Sequence, residues 1–205
     1  MVTQERALRT RRAVLTAAAE VIKARGYAAA TMAEIIRRAG VTKGALYFHF
    51  TSKHALARAV IEEQTEPFLL KVTASRLQDA IDFTHQVALA LRDDALLQAG
   101  ARIAVETTFS DEPLVPYQAW TDILTGMFVG AKENGELLPG VSPEAAAELL
   151  VAAYMGVQLL SQAETDRDDL PERVTQLWRH ALPGLATADG LSHLEPRGRP
   201  LEIVA

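Results

Sequence analysis

An all-α fold is what this sequence predicts, on three observations. Apolar residues recur at helical rather than alternating spacing, hairpin dipeptides between β-rich runs are absent, and capping residues stand at regular intervals before the apolar stripes. The chain has 205 residues, 49% of them hydrophobic, which is ample for one or two packed cores.

The elements follow in order. Ala13, Ala17, Val21 and Ile22 share one face of a first helix from about Glu5 to Arg25, with Gly26 as its stop. Thr31-Met32-Ala33-Glu34 reads as a capping box, in which the Thr hydroxyl and the Glu carboxylate each take a free amide. It opens a short helix closed by Gly40. Thr42 caps a third helix, and Ser52 a longer one that begins at Lys53. Further helices are expected at about 76–92, 95–109 and 116–134. The last of these carries Trp120, Ile123, Leu124, Met127, Phe128 and Ala131 as a single stripe. Ser142-Pro143 opens a helix to about Ala163, and a final helix follows Pro171 and ends before Pro183-Gly184.

Charge divides the chain unevenly. Residues 1–60 hold eleven Lys or Arg against three acids, a net charge of +8, although the whole chain carries -5. The remainder therefore carries -13. A basic head on an acidic body suits a head that meets a polyanion. No cysteine is present, which removes disulfides and thiolate metal sites and agrees with a reducing cytoplasm, the expected location. Met1–Arg12 is polar and basic, unlike a secretory signal. Leu149–Leu160, the longest apolar stretch, is too short for a bilayer span and reads as a buried helix.

The informative segment is Thr31–Lys53, TMAEIIRRAGVTKGALYFHFTSK. Two short helices meet at Ala39-Gly40-Val41, where Gly40 supplies the left-handed backbone of a tight turn. Ile35, Ile36, Val41, Leu46 and Phe50 form a small core, and Phe48 is read as partly buried with Tyr47. Thr42, Lys43, Gly44, Tyr47 and His49 then lie on or near the outer surface of the second helix. These groups suit phosphates and base edges, with Gly44 allowing close approach and Lys43 and Lys53 neutralising phosphates.

The run Gly26-Tyr27, Thr31, then Gly40-Val41-Thr42-Lys43-Gly44-Ala45-Leu46-Tyr47-Phe48-His49-Phe50 and Lys53 resembles the TetR family of bacterial repressors. The resemblance implies a three-helix helix-turn-helix DNA-binding domain over 1–52 and a helical ligand-binding and dimerisation domain over 53–184. The aperiodic segment 185–205 is expected to be a mobile tail. It further implies DNA contact by Thr42, Lys43, Gly44, Tyr47, His49 and Lys53, with Thr10, Arg11 and Thr31 on the backbone. The body, at Gln98-Ala99-Gly100-Ala101-Arg102 and Pro116-Tyr117-Gln118-Ala119-Trp120, is similar to the gamma-butyrolactone receptor branch. That likeness implies a pocket lined by Gln64, Thr65, Tyr117 and Trp120 for a butyrolactone, butenolide or furan signal. Filling of the core by Trp120 is the plain alternative.

The implied partners are operator DNA, a small-molecule inducer and a second copy of the chain, with no membrane and no cofactor. The homodimer is expected to pair the last two helices of each subunit. Ala145, Ala146, Ala152, Ala153 and Gly156 permit close approach there, and Leu149, Leu160, Leu177 and Trp178 fill the space. Three other readings stand beside this one: an antibiotic-sensing relative of the same fold, a DNA-binding architectural protein without a ligand, and an all-α enzyme. For the enzyme the sequence offers no Glu-x-x-His pair, phosphate loop or cysteine nucleophile.

Overall fold

The computed structural model describes residues 2–63, 72–108, 110–114 and 116–200, with side chains from residue 4 onward. These residues form the helices α1 (Val2–Arg25), α2 (Met32–Ala39), α3 (Lys43–His49), α4 (Lys53–Glu63), α5 (Arg76–Asp93), α6 (Ala95–Thr107), α7 (Tyr117–Glu133), α8 (Pro143–Thr165), α9 (Leu170–Leu185) and α10 (Ala188–Leu191). Among the described residues no strand forms, and β pairing is limited to one isolated antiparallel bridge between Leu137 and Ala186. No helix described is long and apolar enough to cross a membrane.

The chain divides into two compact units. One comprises Met1–Pro67 with Asp93–Pro116, the other Phe68–Arg92 with Tyr117–Ala205. In the first, α1 is the central member. Its Val14, Leu15, Ala17, Ala18, Ala19, Val21 and Ile22 are buried, and the run of alanines lets neighbouring helices come close. Ile35 of α2, Leu46 of α3, Phe50 after it, Leu56, Ala57 and Val60 of α4, and Ala99 and Ile103 of α6 complete that core.

Capping chemistry sets the short helices. Thr31 Oγ1 accepts from the Glu34 amide, Thr42 Oγ1 from the Ala45 amide and Ser52 Oγ from the Ala55 amide. The capping box is only half made, because the Glu34 carboxylate turns to Arg25 at the end of α1, 3.1 Å away. An ion pair with the neighbouring helix has displaced the local bond. Gly40 closes α2 with φ 65° and ψ 29°, the left-handed cap its position demands, and its amide donates to the Ile36 carbonyl.

In the second unit Trp178 of α9 is fully buried, and its indole N–H donates to Thr84 Oγ1 of α5 at 2.7 Å. Tyr154 of α8 donates to the Thr84 carbonyl at 3.2 Å. Trp178 therefore belongs to the core of its own chain, which corrects its expected place between subunits. Its N–H requires a buried acceptor, and α5 supplies one. Leu149 and Leu160 do remain exposed on α8.

The C-terminal segment also differs from the sequence expectation. Helix α9 continues through Pro183 to Leu185. Proline there removes a single hydrogen bond in the last turn, which the helix tolerates near its end. Beyond it, Gln78 exchanges two hydrogen bonds with the Glu195 backbone, the His85 ring contacts the Pro196 carbonyl at 3.0 Å, and Arg199 pairs with Asp82 at 2.7 Å. Up to residue 200 the segment expected to be mobile is thus strapped along α5. Periodicity could not show this, since its backbone is satisfied by side chains more than a hundred positions away.

Candidate nucleic-acid interface and ligand site

The face of α3 follows from which of its residues the core takes. Leu46 is fully buried and Phe50 nearly so, which fixes the roll of the helix. Thr42, Lys43, Gly44, Tyr47 and Phe48 are left exposed, with His49 half-buried. Gly44, Tyr47 and Phe48 are spaced i, i+3, i+4 and form one continuous strip. A Cβ placed on Gly44 would meet no heavy atom within 4 Å. Among the described residues nothing requires glycine there, which fits an outside surface that approaches closely. The Lys43 ammonium lies 5.9 Å from the Tyr47 ring centre, so charge and aromatic face are offered together.

Phe48 corrects the sequence reading. Expected to be partly core, it is 81% exposed, its ring set edge-on to that of His49 at 5.1 Å. The hydrophobic pattern read Phe48 as partly buried with Tyr47, but its side chain leaves the end of the seven-residue α3 on the exposed side. Only Phe50, already in extended backbone, turns inward.

The flanking residues are held by specific partners. Lys53 Nζ donates to the Ala28 carbonyl at 2.9 Å and sits 4.6 Å from the Tyr27 ring centre. Burial lowers its pKa, and nearby Glu106 partly restores it. An ammonium group has three donors, so the bond to Ala28 leaves two for a phosphate. Arg11 pairs with Glu63 at 3.1 Å and lies over the Phe50 ring. Thr10 donates to the Arg6 carbonyl one turn earlier. The Thr31 hydroxyl accepts an amide and keeps its own proton available.

A contact that the sequence did not reveal joins α6 to the last turn of α1 and the loop after it. Arg102 donates to the Lys23 carbonyl at 2.8 Å, Glu106 accepts from the Ala28 amide at 2.9 Å, and the two side chains pair with each other. Arg102 and Glu106 stand four apart on one helix, which reads as an ordinary surface pair. Only the fold brings these backbone groups to them.

For the expected ligand site, Tyr117 and Trp120 occupy the first turn of α7 and both are half-buried. The Trp120 ring lies 5.7 Å from that of Phe83 on α5, tilted by 38°. Phe83, itself buried, was not singled out from the sequence, because nothing local distinguishes it from a core phenylalanine. Gln64 and Thr65 lie outside the described residues. No group of three or more His, Cys, Asp or Glu among those described is arranged to hold a metal ion.

Two family models match consecutive parts of the chain. Residues 14–60 match the model for bacterial regulatory proteins of the tetR family, and residues 74–187 match a tetracyclin repressor-like C-terminal domain. The chain is 41% identical to the A-factor receptor protein of Streptomyces griseus, over 97% of this chain and 72% of that one. A solved structure described as the molecular basis for control of antibiotic production by bacterial hormones superposes with a TM-score of 0.76 at 38% identity. That match covers 87% of this chain and 98% of the other. A gamma-butyrolactone receptor, described as ArpA-like, superposes at 0.68 with 27% identity, over 90% and 92% of the two chains.

Proposed function

The chain belongs to the TetR family of bacterial regulatory proteins, and from that premise we propose that it is a repressor released from operator DNA by a small diffusible signal. The observation that carries this reading is the α3 face, where Thr42, Lys43, Gly44 and Tyr47 stand exposed above buried Leu46 and Phe50. A net charge of +8 over residues 1–60 adds the attraction to phosphate. In this reading Thr42, Gly44, Tyr47 and His49 reach base edges or nearby phosphates, while Lys43, Lys53, Thr10, Arg11 and Thr31 position the backbone. The protein works in the cytoplasm and performs no catalysis.

One short helix reads few bases, so two subunits act together. A homodimer presents its two α3 helices about one DNA turn apart, roughly 34–36 Å, to a palindromic operator. The ligand is of the gamma-butyrolactone, butenolide or furan type and packs against Trp120 and Tyr117. A half-buried indole beside Phe83 supports such a wall. Release requires that the ligand bind the released conformation better than the DNA-bound one. The bonds of Arg102 to the end of α1 and of Glu106 to the α1–α2 loop give α6 a direct hold on the DNA-binding helices.

The test is a gel-shift titration on the region upstream of the protein's own gene, at rising salt and with candidate butyrolactones, butenolides and furans. Binding is expected to fall steeply with salt, and one ligand class to release the duplex. Trp120→Ala is expected to keep operator binding and to lose release. A melting curve beside the titration separates this from unfolding, which truncation of a well-buried Trp brings about at a cost of ~3–5 kcal/mol. Salt-insensitive binding, or equal binding to scrambled duplexes, rejects the repressor reading. A folded Trp120→Ala that still releases DNA at wild-type ligand concentrations moves the pocket elsewhere.

A further inference from the structure

Phe48 is 81% exposed, the most exposed of the large hydrophobic side chains described, on the helix whose outer face is otherwise polar, small or basic. It shares its strip with Gly44 and Tyr47. We propose that Phe48 is a specificity-determining residue that reads the 5-methyl group of a thymine in each operator half-site. The inference rests on the DNA-reading function proposed above.

The chemistry leaves few alternatives within the major groove. A phenylalanine ring has neither donor nor acceptor for a base edge, so it cannot match the hydrogen-bonding groups of guanine, cytosine or adenine. Thymine alone presents an apolar group there, its methyl. Tyr47, one position earlier, carries a hydroxyl and is suited to a polar neighbour. The open space at Gly44, one turn before Phe48, lets the helix backbone sink toward the base edges and brings the ring within reach. The ring is also oriented: His49 meets it edge-on at 83°, which limits the rotations the exposed side chain samples. Such restraint reduces the ordering required on contact.

The experiment uses the full-length protein and a random duplex pool from which the wild type selects its preferred sequence. Each thymine of the selected half-site is then replaced by deoxyuridine, which removes only the methyl. One position is expected to lose about fourfold in affinity per half-site, the value of one buried methyl-sized group. Phe48→Ala is expected to bind the thymine and uracil duplexes equally, and Phe48→Leu to keep part of the preference. Because the side chain is exposed, both variants should melt with the wild type. If no position responds to uracil in the wild type, or if Phe48→Ala keeps the wild-type ratio, the proposal is overturned. A wild type that selects no sequence overturns the DNA-reading premise, and the Phe48 role with it, which is a distinct result from selection without methyl sensitivity.

Discussion

His85 shows how one side chain ties the C-terminal segment to pH. It is buried on α5, with its ring against the Pro196 carbonyl at 3.0 Å. Burial lowers its pKa, and the Pro196 bond, Asp82 and Glu172 only partly oppose that. A histidine depressed in the folded state contributes stability that is present above its ordinary pKa of ~6.5 and lost as pH falls below it. The unfolded chain takes up a proton there that the folded site resists. Thermal melting at pH 7.5, 6.5 and 5.5 should therefore show the wild type losing more with acid than His85→Gln does. Parallel losses would mean that the ring is not the titrating group.

At the scale of the element, α2 and α3 separate two uses of glycine. Gly40 holds a left-handed backbone at φ 65°, and a Cβ there meets nothing within 4 Å. Gly40→Ala should thus cost roughly 1–2 kcal/mol through backbone strain alone, read as a lower urea midpoint with unchanged slope. Gly44 lies inside α3 with no positive φ and no crowding. Gly44→Ala should leave stability unchanged or raise it by up to about 1 kcal/mol, since alanine is the better helix former, while weakening operator binding. Loss of stability at Gly44, or retained DNA affinity, would show that its role lies inside the fold. The sequence pattern already assigned the two positions different roles, and the structure supplies the reason for each. Their opposite expectations come from the dihedral at one and the open face at the other.

Over the whole molecule, the proposed homodimer needs an apolar surface through which two copies can pair. Ala145, Leu149, Ala152, Gly156 and Leu160 are exposed along α8 at spacings of three and four, with Leu149 at 69% and Leu160 at 55%. Small residues between large apolar ones allow helices to pack closely. The double substitution Leu149→Glu with Leu160→Glu should give a monomer by light scattering, with helical circular dichroism retained and operator affinity lost. A double variant that stays dimeric would place the interface on another surface.

Much of this protein was determined by local sequence alone. Caps at Thr31, Thr42, Ser52 and Ser142, the stop at Gly40 and the stripe from Trp120 to Ala131 act within a few residues. The all-α class and the starts of the helices were therefore legible, as was the polar face of α3. Tertiary structure decided what depends on distant partners. It turned Phe48 outward, buried Trp178 against Thr84, drew Glu34 from its own helix to Arg25, and strapped residues 195–199 along α5. It also set Arg102 on the end of α1, Glu106 on the α1–α2 loop, and Phe83 behind Trp120. Periodicity records which face of a helix is apolar, but not which neighbour meets that face. A polar side chain bonds to whichever partner the packed chain brings within about 3 Å.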